Sequence, residues 1–102
     1  MLSGHLQGRM LSAFSKALNP NKILEIGTYT GYSALCLAEG LCNNGNLYTI
    51  DSNAELESFA QSFFKRSNYS DQINMIIGNA IVLIPSMKHQ WDMVFIDADK
   101  EN

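Results

Sequence analysis

The 102 residues include 46% hydrophobic and 17% charged side chains, with a formal net charge of −3. That balance describes one globular domain at most, with material for a real core and nothing of the disordered chain about it. The negative balance argues against a general nucleic-acid binder, and the longest apolar runs, Ala34 to Ala38 and Ala80 to Ile84, are far too short to span a bilayer.

No charged-then-apolar signal opens the chain. Cys36 and Cys42 have neither a Cys-x-x-Cys spacing nor a nearby histidine pair, so they read as buried or idle thiols, and the expected location is the cytoplasm.

From His5 to Leu18, the residues Leu6, Met10, Leu11, Phe14, Ala17 and Leu18 recur at helical spacing and predict a helix. Asn19-Pro20-Asn21 ends that helix, because proline lacks an amide donor and disfavours helix in the residue before it. Lys22 to Gly27 reads as a strand running into a turn. Gly31 to Leu41 suits a helix with Leu35, Ala38 and Leu41 on one side. Leu47 to Asp51 is a second strand, and Ser52 or Asn53 caps a helix whose stripe is Leu56, Phe59, Ala60, Phe63 and Phe64. Ile73 to Ile77 is a third strand closed by Gly78. Ala80 to Met87 is a short helix interrupted by Pro85, and Trp91 to Asp97 is a fourth strand. Helices alternating with continuously apolar strands predict a doubly wound α/β fold on a mostly parallel sheet, covered on both faces.

Ligands of such sheets bind beyond the carboxyl ends of the strands. Gly27 permits a tight turn and close approach of a ligand, and Glu25 puts an anion beneath that turn, suited to an amino-acid ammonium directly or through water. The helix-start amides and Ser33 then suit a carboxylate. Asp51 follows Gly27 at about the spacing at which an acid accepts both ribose hydroxyls, and Gly78-Asn79-Ala80 is placed to pass beside an adenine. A dinucleotide is the rival ligand. Tyr29 occupies the middle position of the Gly-x-Gly-x-x-Gly pattern, where its ring would obstruct a pyrophosphate. A nucleoside bearing an amino acid fits better.

The run Glu25-Ile26-Gly27-Thr28-Tyr29-Thr30-Gly31-Tyr32-Ser33, with Ser3 to Gly8 before it and Phe95 to Lys100 after it, resembles the caffeoyl-CoA and catechol O-methyltransferase family, the bacterial members most of all. The resemblance implies a class I methyltransferase (Rossmann-like) sheet, S-adenosylmethionine (SAM) as donor, a divalent metal, usually Mg, that chelates vicinal hydroxyls, and a phenolic or catechol acceptor. By position, Ser3, Glu25, Gly27, Thr28, Ser33, Asp51 and Ala80 match the family's cofactor contacts, and Tyr29 falls on a residue lining the methionine portion. Asp97 matches the first metal ligand, close to the cofactor as well, and Lys100 the general base. Family members commonly form dimers.

Two expectations follow from where the sequence departs from that family. Relatives continue through three more strands carrying further metal ligands and most of the acceptor pocket, so residues 1–102 are expected to be the cofactor-binding part of a domain, with an unpaired apolar edge at Met93 to Ile96. If the chain is complete, the alternative is a non-catalytic nucleoside-binding or self-associating module. His5 and His89, without ligand partners in the sequence, read as structural or surface residues.

Overall fold

A computed structural model of the chain describes residues 2–28, 31–87 and 90–96, with side chains from residue 7 onward. Helix α1 spans Leu2–Leu18, strand β1 Lys22–Ile26, helix α2 Tyr32–Ala38 and strand β2 Asn46–Asp51. A 3-10 turn at Ala54–Leu56 leads into α3, Glu57–Lys65, followed by β3, Ile73–Ile77. The short α4, Ala80–Leu83, runs into a second 3-10 turn at Ile84–Ser86, and β4 is Met93–Ile96.

The four strands form one parallel sheet in the order β3-β2-β1-β4. The chain steps from β1 through β2 to β3 in one direction, then returns to lay β4 on the far side of β1. Parallel strands are joined almost without exception by right-handed crossovers, and a reversal of direction then carries the connecting helices to opposite faces, which is the doubly wound arrangement. The switch point lies between β1 and β4. Among the described residues no helix is long and apolar enough to cross a membrane.

In the register of the sheet, Ile23 lies beside Leu47 and Met93, and Leu47 beside Ile73. These side chains join Ala34, Leu37, Ala60 and Phe64 in the main core. Ile23, Leu37 and Leu47 are fully buried, each contributing about 1.5 to 3 kcal/mol relative to exposure.

Several elements differ from the sequence reading or go beyond it. The apolar stripe of α1 is turned outward: Met10, Phe14 and Leu18 are exposed and, among the described side chains of the stripe, only Leu11 is buried, beside Ser12 and Ser15. The reason is close packing on the α2 segment, where a β-carbon on Gly40 would collide with the Ser15 backbone and one on Gly8 would meet the Tyr32 ring. Small residues win that contact. Ser15 Oγ donates to the Leu37 carbonyl at 2.6 Å, and Ser12 donates to Glu39, which also pairs with Lys16 at 3.6 Å. Helix α2 stops at Ala38 rather than Leu41, with Glu39 and Gly40 already in a turn, and its deepest residues are Ala34 and Leu37 instead of Leu35. In α3, Ala60 and Phe64 are buried while Phe59 is exposed, its ring 5.8 Å from that of Phe63.

Strand β4 begins two residues later than expected. Trp91 leaves the ladder to meet the Tyr48 ring edge-on at 5.6 Å, and Asp92 Oδ2 accepts from the amides of Asn21 (2.9 Å) and Lys22 (3.1 Å). Those two bonds hold the Asp92 carboxyl below the usual carboxylate range. Other expectations agree with the structure: Asn19, in the left-handed region at φ 47°, closes α1; Asn53 caps the turn before α3; β3 has the expected bounds; and Pro85 sits in the 3-10 turn that follows α4. The β4 edge carries Val94 and Ile96, both exposed.

Candidate functional site

Three turns leave the carboxyl ends of β1, β2 and β3 side by side. The first turns at Gly27, whose φ of 103° is a conformation that residues with a β-carbon rarely adopt. Its amide still donates to the Ile50 carbonyl at 2.7 Å, so the turn starts in register with β2. Gly31, at φ 93°, caps α2, and its amide closes back on the Thr28 carbonyl at 2.9 Å.

Asp51 ends β2 and is buried. Its Oδ2 accepts from the Thr28 amide and its Oδ1 from the Asn53 amide, both at 2.9 Å. The carboxylate is therefore aimed by two backbone donors from two different turns. The third turn is tied in the same way: the Gly78 amide donates to the Asp51 carbonyl at 2.9 Å. Asn79 Oδ1 then accepts from the Ile81 amide and starts α4.

Between these turns lies a cavity of about 330 Å³, within the ordinary range for small-molecule sites. Gly27, Asp51 and Ala80 line it, as do Ser52 and Asn79, and Ile26, Ile50 and Ile96 supply apolar walls. A flat heterocycle with a diol matches that mixture, since the base can lie on apolar walls while the acid accepts two hydroxyls.

The other expected residues fall elsewhere. Glu25 and Thr28 stand behind the cavity wall rather than in it, both with almost no exposure. Thr49 Oγ1 donates to Glu25 Oε1 at 2.6 Å and lies 2.7 Å from Thr28 Oγ1. Ser33 is half-buried in the first turn of α2, away from the cavity lining. Tyr29, Asp97 and Lys100, and the side chain of Ser3, lie outside the described residues, as does His89. Among the described residues no three His, Cys, Asp or Glu side chains converge as a metal site would require.

Sequence reasoning missed Ser52, Ile26, Ile96 and Thr49. The first three follow from strand-end position once the sheet order is known. Thr49 is legible only from register, because nothing local distinguishes it from any strand threonine. A larger depression of about 580 Å³ lies between α1 and α2, lined in part by Arg9, Lys16, Tyr32, Cys36 and Glu39, and shares no lining residue with the cavity at the strand ends. There, burial pushes the Cys36 thiol up; a hydrogen bond with Tyr32 offsets part of the rise and the charge of Glu39 adds to it. Both cysteines are free.

A family model described as O-methyltransferase matches residues 1–102, the whole of the sequence. The chain belongs to the O-methyltransferase family. It is 33% identical over 97 residues to a catechol O-methyltransferase of Mycobacterium tuberculosis, covering 94% of this chain and 44% of that one. It is 29% identical over 103 residues to a caffeoyl-CoA O-methyltransferase of Stellaria longipes, covering 95% of this chain and 43% of the relative. Two crystal structures superpose closely. The O-methyltransferase TomG of Streptomyces achromogenes, in complex with SAM, has a TM-score of 0.86 at 32% identity, over 92% of this chain and 44% of that one. An O-methyltransferase of Bacillus cereus in complex with SAH has a TM-score of 0.85 at 34% identity, over 93% and 45%. The chain thus spans less than half the length of the relatives it matches. Over that span, its α/β sheet is the fold of the family.

Proposed function

We propose that the protein is a SAM-dependent O-methyltransferase that transfers a methyl group to a hydroxyl of a catechol-like or other phenolic small molecule, with residues 1–102 as the cofactor-binding part of the methyltransferase domain. The observation that carries this reading is the meeting of Gly27, Asp51 and Ala80 in one cavity at the ends of adjacent strands. The SAM and SAH complexes of similar structures support it.

SAM, when bound, supplies a methyl carbon made electrophilic by its sulfonium. Asp51 accepts the ribose hydroxyls, Ala80 and Asn79 pass along the adenine, and Gly27 lets the donor lie close to the backbone. Ser33 and the amides opening α2 receive the carboxylate, Ser3 and Tyr29 add contacts to the methionine portion, and Thr28 with Glu25 shapes the turn beneath the amino-acid end. Bound SAM would supply the methyl group to the acceptor oxygen, leaving its sulfur as the neutral thioether, and Lys100 would take the proton that the oxygen gives up. Asp97 would give one oxygen to a divalent cation, Mg in the family's manner. Such an ion needs several oxygen ligands, and the described residues do not gather them. No step here depends on it. The same reading expects a cytoplasmic homodimer, with neither nucleic acid nor membrane as a partner.

A second reading, a nucleoside-binding module that self-associates without catalysis, draws on the exposed Val94 and Ile96 of β4. Calorimetric titration with S-adenosylhomocysteine, together with transfer of labelled methyl from SAM to catechol with and without a chelator, separates the two. Asp51→Ala should weaken binding about 10- to 100-fold, the worth of hydrogen bonds to a charged acceptor. Measured on the full-length protein, binding without transfer favours the module, and absence of binding overturns both readings.

A further inference from the structure

The register of the sheet sets Glu25 directly beside Thr49, with Phe95 and Met75 completing the row across all four strands. Glu25 and Thr49 have no exposed surface, and Thr28 is nearly as deep. A hydroxyl carries one proton. Thr49 gives its proton to Glu25 Oε1, so the contact between Thr28 and Thr49 has only one direction available, with Thr28 donating. The result is an ordered relay, Thr28 to Thr49 to Glu25, ending on a carboxyl oxygen directly under the Gly27 turn.

We propose that Thr49 is a positioning residue for the amino-acid end of the methyl donor, acting through Glu25 and Thr28; this rests on the donor site proposed above. Packing alone does not ask for a hydroxyl here. Leu47 and Ile50 fill neighbouring places on β2 with apolar groups, and valine would match the volume of Thr49 without desolvating a polar atom. Instead, the strand carries a hydroxyl whose two partners are the residues bracketing Ile26 and Gly27. Thr28 is then held twice, by its side chain on Thr49 and by its amide on Asp51. The adenosine end of the cavity has anchors of its own besides the Thr28 amide: Asp51 Oδ1 takes the Asn53 amide and Asn79 the Ile81 amide. Losing Thr49 should therefore disturb one end of the ligand and spare the other.

Two ligands test this by calorimetry: S-adenosylhomocysteine, and 5′-methylthioadenosine, which lacks the ammonium and carboxylate. Thr49→Val should raise the dissociation constant for S-adenosylhomocysteine about tenfold, the effect of one hydrogen bond to a charged group. Binding of 5′-methylthioadenosine should stay within about twofold, and Thr49→Ser should restore the first ligand. Equal loss of both ligands, or no loss in a folded variant, overturns the proposal. Should Thr49→Val fail to fold, Thr28→Val cuts the relay one step earlier and should give the same ligand-selective loss; a uniform or absent loss there counts equally against it. Failure of the unaltered chain to bind either ligand overturns the donor site itself.

Discussion

The ring of Phe64 lies so close beneath Gly31 that a β-carbon on the glycine would stand 2.8 Å from it. Gly31 also has φ 93°, so the position resists a side chain for two separate reasons, one local and one tertiary. Gly31→Ala should cost about 2 to 4 kcal/mol, summing left-handed strain and overpacking. Urea denaturation measures it. In a double-mutant cycle, Phe64→Leu should relieve the overpacking share and leave the backbone share in place.

Asn79 links stability to the cavity wall. Its side chain caps α4 through the Ile81 amide, so Asn79→Ala should lose about 1 kcal/mol. Hydrogen exchange at Ile81 should accelerate in that variant. Asn79→Asp, which keeps the acceptor, should retain most of the stability. An unchanged exchange rate in the alanine variant would remove the cap from the account.

Asp92 predicts an acid-side effect. Its carboxyl is depressed in the folded chain by the amides of Asn21 and then Lys22, so the charged form binds the fold more tightly than the neutral one. That contribution is fully present above the unfolded value of 3.8 and disappears as pH falls through the lower folded value. Denaturation midpoints followed from neutral pH to below 3.8 should therefore fall less steeply in Asp92→Asn than in the unaltered protein. Parallel curves would show that the two amides do not discriminate charge.

The two thiols should separate under alkylation. Cys36 is 7% exposed with its thiol pushed up by burial, whereas Cys42 is partly open. Iodoacetamide in native buffer should modify Cys36 about tenfold more slowly than Cys42, and mass spectrometry of the digested protein reads the ratio. The difference should vanish in denaturant. Equal native rates would mean that α1 and α2 part readily.

Much of the sheet and part of the site are legible from residue order alone. Continuous apolar runs bounded by glycine mark β1 and β3 well, and Gly27 and Asp51 stand where strand ends present them. Helix α1 is legible from its periodicity, which identifies an apolar stripe without saying what covers it. Met10, Phe14 and Leu18 lose the inner face to Gly8, Ser12 and Ser15, since closeness to α2 outweighs apolar area there. The start of β4 is misread because Trp91 and Asp92 look strand-like but take a ring contact and two amides instead. Thr49 stays hidden for a different reason: its meaning depends on which residue of β1 it faces, and pairing is not written in either strand separately.

Two of the three turns at the cavity are bonded to the neighbouring strand, Gly27 to Ile50 and Gly78 to Asp51. Side chains alternate along a strand, so a single residue inserted within Asn46–Asp51 would throw Asp51 to the opposite face and break both links at once. A residue added between Arg66 and Asp71 would leave that parity untouched. Descendants of this sequence are therefore free to vary in length beside the sheet, while the spacing from Thr49 to Asp51 is inherited as a single unit.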